Sequence, residues 1–428
     1  MIRIILFLFI VIPLLGGETR ISILYTNNIN GALDNCLCAD KPYGALEKIK
    51  FQVDQLRRKN KNILFVDSGD FFSPFGDPYK DSLLVDALHY LKYDVMTPGD
   101  QEFNHGSRFF LQNIKPAAKA YVSANLLING VPAAQLYRIF DFGKIKIAVL
   151  GIISPSAFNY YDKKKIGDLQ VIDPAESLNK LLPNIEKESD VIVLLSHLGH
   201  ENDRKLALKF PQINLIIGGH SQNILQKASK INKSLIVQAG SDGNYLGKMD
   251  LIFANDQKNF KFKNELLIMD LGLPNDPEIA NLAIRYHYAF IRHSIQKTKY
   301  IDIIPDNYIT APAEQCQKCH QKQYKHWLNG PHAGAYQSVQ REKKTKLLKC
   351  LSCHITGFGR PDGFININLT KNMAGVHCSE CHLTIHRHLT NNNKSGIAAV
   401  QEKTCTRCHD AENDPDFDFA RDLERIKH

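Results

Sequence analysis

Short β-branched runs alternate with amphipathic stretches over the first two thirds of the chain. Ile21–Tyr25 and Asn62–Val66 are apolar runs bounded by polar loops, which predict buried strands. Ala45–Leu56 and Asp81–Leu91 carry apolar residues at helical spacing, and Asp94–Met96 reads as a further short strand. Later strands are expected at Ile145–Ile152, Val191–Leu195, Leu215–Ile217, Leu235–Val237 and Met249–Phe253, with helices near Ala175–Glu188 and Asn202–Phe210. Strands separated by helices predict a layered α/β domain. In such folds, sites lie where loops leave the strands.

A long helical pattern then runs from Asp276 to about Lys297, with Ile279, Leu282, Tyr286 and Phe290 on one face. It reads as a connector, with His287 and His293 on it as surface or packing residues. From Ala311 onward the apolar runs shorten while Cys and His become dense. That stretch has too little aliphatic material for a large core of its own.

Within it, C-x-x-C-H occurs four times: Cys316–His320, Cys350–His354, Cys378–His382 and Cys405–His409. Two thiols three residues apart can form thioethers to the two vinyl groups of one haem. The His that follows then lies under the iron, which is the c-type attachment signature. Paired C-x-x-C units also make zinc sites, but zinc requires no His directly after the second Cys. The pattern therefore predicts four c-type haems, held by Cys316, Cys319, Cys350, Cys353, Cys378, Cys381, Cys405 and Cys408. His320, His354, His382 and His409 are the proximal ligands.

At 428 residues the chain has room for two or three domains, and its composition shows no sign of disorder. Residues 1–17 read as a cleaved secretory signal: Arg3, then the apolar Ile4–Leu15, then Gly16 and Gly17. Twelve apolar residues are too few for an anchor, and no Cys follows to be lipidated. An exported, periplasmic or envelope-associated protein is expected, since c-type haem is attached outside the cytoplasm. The net charge of +9 would suggest nucleic acid, but eight haem propionates offset it. The expected partners are other redox proteins, with Arg341–Lys349 either a docking patch for an acidic one or a solvated helix face.

The last region closely resembles the tetrahaem cytochrome c-554 family over 312–428. Tyr324–Ala335, Cys350–Gly359 with Pro361-Asp362-Gly363, Gly375–His388 and the ending Asp416–His428 carry the resemblance. It implies a stacked haem array with mostly bis-His irons and often one without a distal ligand. Carried over by position, the distal candidates are His332, His388 and His428, while His326, His377 and His386 remain over.

Residues 20–272 resemble the metallophosphatase domain of the 5'-nucleotidase family, which includes SoxB-type thiosulfohydrolases. The landmarks are Leu24–Gly31, Asp67–Asp70, Pro98–Gly106, Leu194–Asp203, Ile217–Gln222 and Gln238–Leu251. Such enzymes hold two metals about 3.5–4 Å apart. By this resemblance the first metal would see Asn28, Asn30, Asp70 and Gln222, where the family has Asp, His, Asp and His. Neutral amides are poor ligands for zinc or manganese, so that site is expected to be empty. The second would see Asp70, Asp100, His197 and His220, a set able to hold one divalent metal such as Mn or Zn. The catalytic His is replaced by Gln101 and its orienting Asp by Asn104; His105 and His200 stand near in sequence but not at the catalytic position. The family's nucleotide-binding C-terminal domain is replaced by the Cys-rich region. Cys36 and Cys38 stand in the loop after the first strand, either as a strained, reducible disulfide or as soft ligands or a redox pair.

The expected fold class is α/β, a metallophosphatase-like layered β-sandwich flanked by helices, followed by a mostly α multihaem cytochrome c domain. The expected divisions are a signal at 1–17, the metallophosphatase-like domain at 20–272, a helical connector at 273–311 and the haem domain at 312–428. The leading functional expectation is an electron-transfer protein whose phosphatase-like domain is a docking or binding module rather than an enzyme. The alternatives are a metal-dependent hydrolase or sulfur-compound-processing enzyme coupled to the haems, and small-ligand chemistry at a five-coordinate iron.

Overall fold

The apolar runs of the first two thirds assemble two sheets that share one buried layer. In the first sheet the order is Phe260–Ile268, Tyr245–Phe253, Thr19–Thr26, Ile63–Asp67, Val95–Met96. In the second it is Ser229–Ile231, Ser234–Val237, Leu215–Gly218, Val191–His197, Lys146–Ile153, Tyr137–Asp141. A small third sheet joins Val131–Pro132, Leu126–Ile128 and Leu169–Val171.

The computed structural model describes residues 18–34, 43–117, 121–254, 259–295, 308–345, 348–360, 362–383, 385–391, 397, 399–411 and 413–428. The signal at 1–17 and the pair Cys36 and Cys38 lie outside the described residues.

Side-chain alternation sorts the buried runs into two layers. Val193 and Leu195 face the first sheet, among Ile23, Val66 and Leu251. Their neighbours Ile192 and Leu194 face outward, against Leu178, Leu182 and Ile185 of the helix Pro174–Glu188 and Leu206 of His200–Lys209. A strand covered on both faces reads as a continuous apolar run, which is why these central strands were legible. Within the first sheet Thr19–Thr26, Ile63–Asp67 and Val95–Met96 are parallel. Within the second, the four strands from Lys146–Ile153 to Ser234–Val237 are parallel as well. Their carboxyl ends therefore deliver loops to a common edge of each sheet.

Several boundaries move for local reasons. The helix expected from Asp81 begins at Pro78, because Asp77 caps it by accepting from the backbone of Tyr79 and Lys80. Asp173 caps Pro174–Glu188 in the same way, through the backbone N–H of Glu176. Phe260–Ile268 and Tyr137–Asp141, both at sheet edges, are strands beyond those expected. Their charged, half-exposed residues are what edge strands use to block further pairing.

The chain divides into two units, Met1–Ile279 and Ala280–His428. The second unit is built of short helices around a small apolar cluster of Tyr336, Val339, Leu351, Ile355, Phe364 and Met373. It takes in more than 312–428, because Tyr308, Thr310 and Ala311 bond to Glu380, Asp362 and Ser379. Among the described residues, no helix is long and apolar enough to cross a membrane.

Candidate metal centre and haem sites

Four strand ends converge on one polar cluster. Asp70 follows Ile63–Asp67, Asp100 follows Val95–Met96, His197 closes Val191–His197, and His220 follows Leu215–Gly218. One ligand atom from each lies within 4.8 Å of all the others. His197 Nε2 is 3.3 Å from Asp70 Oδ2 and 3.6 Å from Asp100 Oδ1, and His220 Nδ1 is 3.8 Å from the same Asp100 oxygen.

The backbone here is shaped for these side chains. Asn28, Asn30, Asp70, His220 and Gln222 all adopt left-handed φ, between 49° and 68°. That conformation costs of order 1–3 kcal/mol for a non-glycine residue and collects at functional sites. Gly99 permits the close approach, since a Cβ there would fall on Asp70 Oδ1 and within 2.7 Å of His197 Cε1.

Hydrogen bonding aims the donors. His197 is fully buried and its Nδ1 lies 2.7 Å from the Ser68 carbonyl, so Nδ1 carries the proton and Nε2 faces the carboxylates. Asp100 Oδ1 and His197 Nε2 are buried with no hydrogen-bond partner among the described residues. Two carboxylates and two imidazoles, with orphaned atoms turned inward, fit one divalent ion with oxygen and nitrogen preference. The His220 side chain, 42% exposed, marks the open side.

The cluster also calls for positive charge. Burial opposes protonation of His197, yet Asp70 and Asp100 carry its pKa well above 6.5. Burial and the neighbouring His197 lower the pKa of His220, keeping it a neutral ligand. Burial would raise Asp100, but the neighbouring His197, with the Tyr161 hydroxyl and His220, brings it below its usual value. A metal must therefore expel the His197 proton. Affinity for Mn²⁺ is expected to rise with pH, about tenfold per unit wherever the metal-free protein holds His197 protonated, one proton leaving per ion bound. Calorimetric titration at several pH values checks this; a pH-independent affinity would contradict it.

Beside this cluster, amide hydrogens stand where the family resemblance places the first metal. Asn28 Nδ2 donates to Asp70 Oδ2 at 2.9 Å, and Asn30 Nδ2 donates to Asp242 Oδ1 at 3.0 Å. Gln101 Nε2 donates to Asn30 Oδ1 at 3.0 Å, while Gln222 is exposed. The position is occupied by neutral amides hydrogen-bonded to one another and to two carboxylates.

Three residues matter here that motif reading did not single out. The Tyr161 hydroxyl lies 3.1 Å from Asp100 Oδ2 and 2.9 Å from Asn104 Oδ1, leaving Asp100 Oδ1 for the cluster. Glu102 is fully buried and accepts from the backbone N–H of Asp70, Phe71 and Gly99, tying two site loops together. Burial, with the charge of Asp70, pushes its carboxyl up to about 8. Asp203 accepts from Ser196 and is pushed up to about 7 by burial. Glu102 directly follows Gln101 and was findable; Tyr161, distant in sequence, carried no local signal. His105 is paired with Asp81 at 2.8 Å rather than with the cluster, and His200 starts the helix His200–Lys209.

In the second unit each C-x-x-C-H is wound as a helical turn. The backbone N–H of His320, His382 and His409 bonds to the carbonyl of its first Cys, and Leu348–His354 is helical throughout. Such a turn places residues i, i+3 and i+4 on one side. All eight motif cysteines are free thiols.

Three histidine pairs face each other. Ring centroids are 5.8 Å apart for His320 and His388, 6.1 Å for His409 and His332, and 6.0 Å for His382 and His428. Metal–imidazole bonds of about 2.0–2.1 Å put the centroids of two opposed ligands on one ion ~6 Å apart. His354 has no facing ring among the described residues; its Nδ1 lies 2.8 Å from the Ala335 carbonyl. His409 Nδ1 lies 2.7 Å from Asp414 Oδ2 and His428 Nδ1 lies 3.1 Å from the Ile426 carbonyl, so on each ring Nε2 is the nitrogen that could ligate a metal. His377 is different: its Nδ1 accepts from Ala313 N–H at 2.8 Å, and its ring packs on Trp327. His326 lies 6.0 Å from His428, and His386 begins the helix His386–Asn391. A cavity of about 1450 Å³ is lined by Cys350, Cys353, His354, Cys405, Cys408 and His409. Cys353 touches Cys408, and Cys316 touches Cys378. Motif cysteines outside any disulfide, three close histidine pairs and this cavity fit covalently attached haem.

Residues 35–223 match the calcineurin-like phosphoesterase family, and residues 315–383 match cytochrome c554 and c-prime. Human 5'-nucleotidase is 24% identical over 306 residues, which cover 62% of this chain and 52% of that protein. The trifunctional nucleotide phosphoesterase protein YfkN of Bacillus subtilis is 28% identical over 284 residues, 55% of this chain and 19% of its own length. The chain spans about half the length of the 5'-nucleotidases it matches. Among solved structures, the calcineurin-like phosphoesterase YfkN from Bacillus subtilis has a TM-score of 0.56 at 25% identity, covering 66% of this chain and 100% of that one. Sulfate thiohydrolase SoxB from Thermus thermophilus shares the fold, with a TM-score of 0.55 at 16% identity over 62% of this chain and 59% of that one. One chain thus joins a calcineurin-like metallophosphatase domain to a cytochrome c554-type domain.

Proposed function

We propose that this chain is an exported electron-transfer protein with four c-type haems on 312–428 and a phosphatase-like domain, 20–272, that binds one divalent metal without hydrolysing phosphate esters. The three facing imidazole pairs, at 5.8–6.1 Å, are the observation that carries the reading. Each joins a motif histidine to a distal candidate: His320 to His388, His409 to His332, and His382 to His428. Bound haem supplies one-electron exchange, and two imidazoles on one iron favour that over substrate binding. His354, with one side free, leaves the fourth position open to a small ligand. The partners on this reading are other redox proteins of the periplasm or cell envelope.

The hydrolytic domain lacks a proton carrier. Gln101 donates to Asn30 and Asn104 accepts from Tyr161, so both positions of the family's acid–base pair hold amides already committed to hydrogen bonds. Asp70, Asp100, His197 and His220 can still grip a metal, and the domain then serves as a binding module.

Haem and metal content measured on one purified sample test both halves. Four haems and one manganese or zinc ion per chain are expected. His197→Ala should lose the metal, by at least 100-fold in affinity, and keep all four haems. A sample without a pyridine haemochrome signal would end the electron-transfer reading. The intact ligand cluster favours a second reading, metal-dependent hydrolysis or processing of sulfur compounds coupled to the haems. It is rejected if His197→Ala leaves any such activity unchanged.

A further inference from the structure

One charge pair in the haem unit is placed unlike the rest. Glu380 and Arg407 occupy the variable positions of the third and fourth attachment motifs, Cys378–His382 and Cys405–His409. Arg407 Nη2 is 3.2 Å from Glu380 Oε2 and donates to the Glu380 carbonyl at 2.7 Å. The other carboxylate oxygen, Oε1, accepts from the Tyr308 hydroxyl at 3.0 Å and from the Gly357 backbone N–H at 2.7 Å. Gly357 stands just beyond the second motif, Cys350–His354. A single carboxylate thus ties together the loops of three motifs.

Both side chains line the same cavity as Cys353, Cys381, Cys405 and Cys408, and they are only 13% and 14% exposed. Lys344–Glu342 and Arg421–Asp422 border the same cavity but with more exposed side chains, 51% and 66% for the first and 52% and 19% for the second. Exposed charges are screened within roughly 8–10 Å at ordinary salt, whereas a charge in a cavity wall acts through a medium of low dielectric constant. Oxidation adds one positive charge to a haem. An uncompensated carboxylate nearby stabilises that state and an uncompensated guanidinium opposes it; together they nearly cancel.

We propose that the Glu380–Arg407 pair sets the reduction potentials of the haems attached at the second, third and fourth motifs by holding two opposite charges in balance in the cavity wall. The proposal rests on the haem reading above. It makes Glu380 and Arg407 positioning and tuning residues, not ligands.

The test is a spectroelectrochemical titration of the full-length haem-loaded protein, with haem content counted first. Glu380→Gln should raise the potential of at least one haem, and Arg407→Gln should lower it, each with four haems retained. The double variant Glu380→Gln/Arg407→Gln should return towards the parent. Lys403→Gln, an exposed charge beside the fourth motif, should shift potentials less than either. A purely structural pair would move both single variants the same way or not at all, and either result overturns the proposal. Loss of haem from both single variants would make the pair a folding element and also overturn it. A haem-free parent would fail the haem reading itself, and this proposal with it; four haems with unmoved potentials would fail the proposal alone.

Discussion

Replacing His428 with alanine is expected to leave four haems attached while turning one low-spin iron high-spin. The His428 ring faces His382 at 6.0 Å, and its Nδ1 is turned towards the Ile426 carbonyl. It follows the helix Phe419–Ile426, which is capped by Asp418 accepting from Arg421 N–H and has no fully buried residue. Removing one exposed imidazole disturbs little packing, so the change should be confined to iron coordination. On the proposed reading, in which His354 has no distal partner, the high-spin share should go from one haem to two, read by electron paramagnetic resonance and ferric absorption. Added imidazole should reverse it. His388→Ala and His332→Ala should each do the same at a different haem. His326 is the control, since its ring also lies 6.0 Å from His428. If His326→Ala changes the spin state and His428→Ala does not, the pairing of His382 with His428 is wrong.

Which parts were legible in the sequence follows from how local each signal is. The central strands were readable because both of their faces are buried, so Val191–Leu195 and Leu215–Ile217 are apolar throughout. Edge strands such as Tyr137–Asp141 were not, because half of their residues answer to solvent. C-x-x-C-H is complete within five residues and needs no tertiary information. The partner of each motif histidine depends on how distant segments pack: nothing near Cys316–His320 announces His388, although position within the resembled family did nominate it. In the first domain, departure from the resembled family was visible as Asn28, Asn30 and Gln222 at ligand positions and as Gln101 at the catalytic one. What replaced the ligands was not, because the bonds from Asn28 to Asp70 and from Asn30 to Asp242 exist only when the loops meet. Tyr161 was invisible for the same reason. Asn28, Asn30 and Gln222 hold left-handed backbone in the loops beside the cluster, as Asp70 and His220 do.

That shared backbone geometry makes a gain of function testable. A chain carrying Asn28→Asp, Asn30→His, Gln101→His, Asn104→Asp and Gln222→His is expected to bind two Mn²⁺ instead of one and to hydrolyse a chromogenic phosphate ester at least 100-fold faster than the parent. The metal argument is electrostatic. Asn28 now satisfies Asp70 with an N–H at 2.9 Å; a carboxylate in its place would face Asp70 as a like charge, a conflict that a second cation relieves. Asn30 and Gln222 already hold the φ values of the site loops, so imidazoles there need no backbone change. The rate argument concerns the proton. General acid–base catalysis contributes about 10²–10⁴-fold, and Gln101 cannot supply it. With imidazole at position 101 and a carboxylate at 104, where Tyr161 already donates, an oriented acid is restored. Gln101→His/Asn104→Asp alone should do almost nothing, because one metal cannot clamp both the attacking and the leaving oxygen. A five-site variant that still binds one ion would show that the amide network is not what excludes the second metal. A variant with two ions and no turnover would place the loss in substrate binding, and a parent that already matched its rate would end the claim that this domain is hydrolytically silent.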